Sequence, residues 1–476
     1  MRPDHRMFDE SRPHGTVPAD TASATAIFTA MASFSLLIIS LAYSPWIVLL
    51  SPLFVLGGVL SMKKVDLFGR GVCVLITISL SYYYSLNQIP GMVTIIRVAL
   101  ILTLALGFLK RDREPNEYAS SLGLFALFLV FAAVNSYFCS NFVEISELKL
   151  LFAGMFFFGL ILSAKATDGF PSVLFGIIAA IIAISVVMFI VNPAIGYSYV
   201  IDPNAAISAL GKYSGILNHP QLLGCLLAVN LPLILHTYLT KTGTLASLSI
   251  FLIIATTLLI AISSSRTGLL ATSVALISTL YMFSNNPDAK VRRRVKTFWA
   301  IIVIAVVVGL ATSFEEIQLF IYKTEDLGGG ISLSGRENII GDSWRGFVSR
   351  PVFGNGFQVP SDFTEHGGAT FGLSSDATAV EKCFFITMLL EEVGIVGTSL
   401  FLCIIVFLFR RWYQKGAYVA IAAMLAFLTI NIGEACILSP SSIGGLCWLS
   451  IFAVHNLVQP SAGPHSLHDP ARRRVY

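Results

Sequence analysis

The chain has 476 residues, of which 55% are apolar and only 12% charged, and its mean hydropathy of +0.78 lies well above that of soluble domains. An ordinary soluble globular protein is excluded. So is an outer-membrane barrel, whose strands alternate apolar and polar residues over about ten positions: residues 174–191 are apolar on every side, as a lipid-embedded helix must be. The net charge of +4, from 31 Lys+Arg against 27 Asp+Glu, is too small to point to nucleic acid. The seven cysteines show neither CxxC nor Cys/His spacing, and Cys73, Cys225, Cys403 and Cys447 lie in apolar runs, so neither a zinc site nor a cofactor is implied.

In chain order, residues 1–23 are polar and Pro-rich and read as a disordered cytoplasmic tail, not a cleavable signal. Apolar stretches of roughly 17 to 25 residues then predict about fourteen transmembrane helices. They fall near residues 24–43, 46–61, 71–87, 91–109, 119–138, 149–164, 172–191, 220–238, 244–263, 267–284, 297–313, 384–409, 417–435 and 442–459. The first eleven occupy residues 24–312, and the last three occupy 383–459, followed by a tail over 460–476. This count puts the basic clusters around Lys63, Lys110, Arg293, Arg410 and Arg473 on one side, about 22 of the 31 basic residues in all; the positive-inside rule makes that side cytoplasmic, with both termini. The opposite face carries a segment over 192–219 and a long loop over 313–382, in which amphipathic content around Trp344, Phe347 and Phe353 predicts short helices lying over the bundle.

Where charge is scarce, cations on the outer face are the informative residues. Lys212 stands in GKYSGILNHPQLLG, Arg266 in ISSSRTGLLA, and Arg336, Arg345 and Arg350 in SGRENIIGDSWRGFVSRPVFGNG. Guanidinium groups match phosphate oxygens in bidentate geometry, so this set suits an anionic lipid head group, a diphosphate best of all. The plainer role for each is an interfacial anchor or a partner for a loop carboxylate. His219 stands at a helix start before Pro220, where it serves either a phosphate and a proton or the helix cap. Glu391, Glu392 and Glu434 fall within predicted helices; pairing with Lys382 or loop arginines is the plain reading, and proton transfer the other.

Four of these segments resemble, in order, the motifs of the O-antigen ligase and Wzy-type polysaccharide polymerase superfamily. GKYSGILNHPQLLG resembles the segment before its mid-chain helix, ISSSRTGLLA its Ser-x-Ser-Arg-Thr turn, and SGRENIIGDSWRGFVSRPVFGNGF its Gly-Arg, Trp, Gly-x-Gly-Phe loop. CFFITMLLEEVGIVG resembles the segment that re-enters the membrane. The resemblance spans residues 212–397. It implies an all-α, GT-C-like polytopic protein of the bacterial inner membrane, with residues 313–382 as a large periplasmic loop between helices 11 and 12. It also implies metal-independent transfer of glycan from undecaprenyl diphosphate on the periplasmic face. Ligases of the family carry a His-Asn/Ser pair a fixed distance before the glycine that is Gly394 here; this chain has Cys383 and Phe384 there, and Glu381–Lys382 matches the Glu-Lys pair of some exopolysaccharide polymerases.

The expectation is therefore a polymerase that joins lipid-linked repeat units, with an O-antigen ligase and a lipid-linked oligosaccharide flippase as alternatives. Arg266 and Arg336 are expected to neutralise the leaving diphosphate. Lys212, His219, Trp344, Arg345 and Arg350 are expected to bind diphosphate or glycan, and Glu381 or His219 to take the acceptor proton. Membrane lipid, a chain-length regulator and export machinery are the implied partners, with no nucleic acid.

Overall fold

Lipid offers a backbone no hydrogen bonds, so a chain this apolar must close them within each segment as helix. The computed structural model describes residues 119–163, 170–191, 197–198, 212–217, 220–312, 336–359, 384–439 and 443–457. The first four expected helices, both tails, His219, Glu381 and Cys383 lie outside these residues.

Among the described residues there are eleven helices and one two-residue antiparallel ladder. The helices before the ladder are α1 (Ala119–Cys139), α2 (Val143–Ser163) and α3 (Phe170–Val191). Strands β1 (Tyr197–Ser198) and β2 (Lys212–Tyr213) then pair, Tyr197 opposite Tyr213. Next come α4 (Pro220–Thr240), α5 (Thr244–Ser263), α6 (Arg266–Phe283) and α7 (Ala289–Thr312). Finally α8 (Arg336–Ser349) lies within the expected outer loop and precedes α9 (Phe385–Lys415), α10 (Tyr418–Gly433) and α11 (Ile443–Val454). Six helices, namely α1, α3, α4, α5, α6 and α9, are long and apolar enough to cross a membrane, and α10 and α11 are shorter apolar helices. Exposed Ile250, Ile254 and Leu258 form a stripe on α5, as do Ile304 and Val308 on α7, the pattern of a lipid-facing surface.

Two helices start earlier than the apolar runs suggest, because polar caps extend them. The Ser140 hydroxyl accepts from the Phe142 amide at 3.0 Å, which starts α2 at Val143 instead of 149. Asp288 accepts from the Lys290 amide at 2.8 Å, which starts α7 at Ala289 instead of 297. The basic cluster of residues 290–296 thus lies on the first turns of α7. One of its members, Arg294, reaches the last carbonyls of α4, those of Tyr238, Leu239 and Lys241 at 2.6, 3.1 and 2.7 Å, where a cation complements the helix dipole.

Helix α4 is the axis of the bundle: 83% of its span is buried, and it packs against α3, α5, α6, α7, α10 and α11. In lipid such packing rests on close backbone approach and dispersion, which small residues allow. Gly224 of α4 meets Gly268 and Ser265 of α6; a Cβ on Gly268 would stand 2.8 Å from Ser265 Oγ and 3.0 Å from Gly224 Cα. Gly268→Val therefore should cost about 1–3 kcal/mol and lower the melting temperature in detergent, whereas Gly123→Ala, whose added Cβ has nothing within 4 Å, should not. Equal melting of the two variants would contradict this account of the α4–α6 contact.

Candidate functional site

The α5–α6 turn is built from the three serines before Arg266. Ser264 takes a left-handed conformation (φ 51°) that ends α5, and Ser265 caps α6, its Oγ accepting from the Gly268 amide at 3.1 Å. Arg266 is then the first residue of α6, and it is exposed. Its backbone is fixed twice, by that cap and by the Gly224–Gly268 contact a turn below. A guanidinium at the positive end of a helix dipole is an arrangement that holds an anion.

Just ahead of α4, residues 213–217 are buried. The Tyr213 hydroxyl donates to the Ser185 carbonyl of α3. Gly215, at φ +60°, lies so near Ser185 that a Cβ there would meet its Oγ at 2.5 Å. Tyr213, Gly215 and Ile216 of the KYSGI segment thus plug the bundle. At the first turn of α4, Gln221 Nε2 donates to Glu434 Oε1 at 2.6 Å. Glu434 is the residue after the end of α10, so α10 ends where α4 and α6 begin.

The loop after α8 enters a break in α9. Gly394 has φ 63° and ψ −169° inside that helix, so Ile395 and Val396 cannot donate to Glu391 and Glu392 as a continuous helix would require. They donate instead to the carbonyls of Pro351 and Val352, at 2.9 and 3.3 Å. In return the Glu391 carbonyl accepts from the Asn355 amide at 2.8 Å and the Glu392 carbonyl from the Gly356 amide at 3.0 Å. Side chains complete the exchange: Asn135 Nδ2 donates to the Glu392 carbonyl at 3.2 Å, and Asn355 Nδ2 to the Gly346 carbonyl at 2.8 Å. Two glycines permit this approach. A Cβ on Gly354 would stand 2.6 Å from the Glu392 carbonyl, and one on Gly394 only 2.3 Å from Val352 O.

The same loop is held along its length. Arg350 donates to the Cys139 carbonyl at the end of α1. Ser146 Oγ donates to the Phe357 carbonyl at 2.9 Å, Lys149 Nζ to the Gln358 carbonyl at 2.8 Å, and Gln358 Nε2 to the Leu438 carbonyl at 2.6 Å. That last bond ties the loop to the turn that carries Glu434, and so to the end of the bundle where Arg266 stands.

The expected site residues divide accordingly. Arg266 and the turn around it lie within the described residues. Arg336 is the first residue of α8 and Lys212 opposes Ser198 in the ladder; their side chains, like the whole of His219 and Glu381, lie outside the described residues. Trp344 is 51% exposed and packs on Phe347 at 5.1 Å between ring centroids. Arg345 forms an ion pair with Asp342, three residues back on α8. Arg350 makes an anchoring contact through the Cys139 carbonyl. Glu391 and Glu392 are buried; what the structure shows of them is the carbonyl exchange with the loop, and Glu434 accepts from Gln221 Nε2. The sequence gives no hint of the Gln221–Glu434 bond or of the loop–helix exchange, though the glycines that enable the latter stand in the quoted motifs. Among the described residues no three His, Cys, Asp or Glu side chains gather as a metal site requires.

Residues 250–377 match the family model described as O-antigen ligase. The match runs from within α5 through α6, α7 and α8 and takes in Arg266, Arg336, Trp344, Arg345 and Arg350. It stops short of α9, and Lys212, His219 and Glu381 lie outside it. It supports the O-antigen ligase and Wzy-type superfamily that the four motifs resemble. No curated protein matches the chain.

Gly394→Ala should break the exchange, adding backbone strain to the Val352 clash at a cost of about 2–4 kcal/mol. Gly341→Ala on α8, whose added Cβ meets nothing within 4 Å, should be neutral or raise stability by about 0.5–1 kcal/mol. Thermal unfolding of the two purified variants checks the contrast.

Proposed function

Given the O-antigen ligase domain at residues 250–377, we propose that the chain is a metal-independent, GT-C-like glycosyltransferase of the bacterial inner membrane. In this reading it polymerises oligosaccharide repeat units carried on undecaprenyl diphosphate, for exopolysaccharide, O-antigen or capsule. It crosses the membrane about fourteen times, with both termini cytoplasmic and the α6 start facing the periplasm. The observation that carries the reading is Arg266, exposed at the start of α6, capped by Ser265 and clamped through Gly268, inside the matching stretch.

In this mechanism a hydroxyl of one lipid-linked unit attacks the anomeric carbon of another and expels the lipid diphosphate. Arg266 and Arg336 neutralise the charge that builds on the departing diphosphate, a preorganised contribution of several kcal/mol. Lys212, His219 and Arg345 add to the field around the head group, Trp344 offers an exposed ring to the glycan, and Arg350 holds the loop that presents them. Glu381 is a candidate for the acceptor proton. A chain-length regulator and export machinery act alongside.

The family description itself favours a second reading, a ligase that moves finished glycan to a lipid or protein acceptor; the Cys383–Phe384 departure favours polymerase.

The test is the size distribution of lipid-linked and surface glycan in a strain lacking the protein, complemented with wild type or Arg266→Ala at equal protein level. Single repeat units on the outer-face carrier, with polymer reduced about 100-fold or more by Arg266→Ala, are the expected result. Full-length polymer stranded on the carrier would mean a ligase, and units trapped on the cytoplasmic face a flippase. Unchanged polymer in the variant would refute the role of Arg266.

A further inference from the structure

Residues 290–296 carry five cations, Lys290, Arg292, Arg293, Arg294 and Lys296. They stand at the end of the bundle opposite Arg266, because α6 runs from Arg266 to Phe283 and a short turn then leads into α7. The structure divides them. Arg292 Nη1 donates to the carbonyls of Asn286 and Pro287 at 2.8 and 3.0 Å. Arg294 holds the last carbonyls of α4, and its guanidinium lies 5.4 Å from the centre of the Tyr238 ring. These two lock the start of α7 against the preceding turn and the end of α4. Asp288, the acid of that turn, caps α7 through the Lys290 amide. Lys290, Arg293 and Lys296 extend exposed side chains from the helix so fixed.

Helix α7 has two faces. Val291, Val295, Phe298 and Ile302, three or four positions apart, pack on the bundle. Lys290, Arg293 and Lys296 fall on the other side, and that side continues as exposed Ile301, Ile304, Val307 and Val308. The change from cation to apolar side chain takes about 8 Å of helix, from Lys296 to Ile301, close to the roughly 5–8 Å depth of a lipid head-group layer. Aromatic rings stand at the same height: Phe298 packs on Tyr238 at 5.8 Å between centroids, with Trp299 half-buried beside it. Such rings collect at the membrane–water interface.

We propose that the start of α7 binds the head group of an anionic phospholipid, of the phosphatidylglycerol or cardiolipin type, whose acyl chains lie along Ile301, Ile304 and Val308. The Arg293 guanidinium matches the phosphate oxygens in bidentate geometry, and Lys290 and Lys296 add point charges on either side. A soluble anion would use the cations and leave the apolar continuation of the same face without a role; a phospholipid uses both. Because Arg292 and Arg294 fix the helix start to its neighbours, the lipid meets a cation set that is already in place. This inference does not depend on the transferase reading above.

The test titrates fluorescent phosphatidylglycerol, and separately phosphatidylcholine with the same acyl chains, into the full-length protein in a neutral detergent. Wild type should bind phosphatidylglycerol at least about tenfold more tightly, and the difference should shrink as salt rises. Each cation near the surface contributes about fivefold, so the variant Lys290→Gln/Arg293→Gln/Lys296→Gln should lose on the order of 100-fold. The charge-keeping variant Lys290→Arg/Arg293→Lys/Lys296→Arg should stay close to wild type. So should Arg472→Gln/Arg473→Gln/Arg474→Gln, which removes the same charge from the C-terminal segment. Arg293→Gln alone, expected to lose about fivefold, is the readout should the triple α7 variant not fold. Four results would each overturn the assignment: wild-type affinity in the triple α7 variant, an equal loss in the C-terminal variant, equal binding of the two lipids by wild type, or displacement of phosphatidylglycerol by inorganic phosphate at constant ionic strength.

Discussion

A backbone amide or carbonyl in lipid has no water to turn to, so each one left open costs several kcal/mol. The break in α9 at Gly394 opens two amides and two carbonyls at once, and the structure closes all of them with residues 351–356 of another segment. Much else follows from that exchange. The loop that meets the break must run beside α1 and α2, where Arg350, Phe357 and Gln358 are held by Cys139, Ser146 and Lys149. It must then reach the α10–α11 turn through Leu438. A polar segment is thus fixed to the apolar bundle by main-chain bonds at the break and by side chains of α2 and of the loop itself along its length.

The second fixed point is the α4–α6 crossing. Gly224 and Gly268 bring two backbones together, and this sets the height of the Ser265 cap and of Arg266 against the first turn of α4. Gln221, one turn up, carries Glu434. Polar chemistry at this end therefore stands on rigid helix termini and tight turns, with little left to side-chain flexibility, the condition for a preorganised site. The apolar stripes on α5 and α7 face outward, so the whole assembly is set in a bundle suited to a membrane.

The helices were legible because their apolar runs are long and uninterrupted, and α4 and α5 begin where those runs do. The starts of α2 and α7 were not, because Ser140 and Asp288 cap turns made of charged residues, which hydropathy assigns to loops. The cations of the site stood out in the sequence because charge is rare; what each one contacts did not, since Arg345 turns to Asp342 within its own helix and Arg350 to a carbonyl on α1. The exchange at Gly394 could not be seen in one dimension. It pairs backbone with backbone across distant segments and leaves only glycines as its trace, and the Gln221–Glu434 bond leaves not even that.

In the proposed reading the arginines, loop and break serve as a platform for an anionic lipid-linked glycan, and its central claim is that the chain itself forms the glycosidic bond there. The most direct measurement uses purified wild-type protein in liposomes loaded with repeat units on undecaprenyl diphosphate and no other protein, counting glycosidic bonds formed against lipid diphosphate released. The account predicts a ladder of lipid-linked products, with one lipid diphosphate released for each bond formed. Units that only change leaflet, or that remain single until a separate non-glycan acceptor is added, would contradict it.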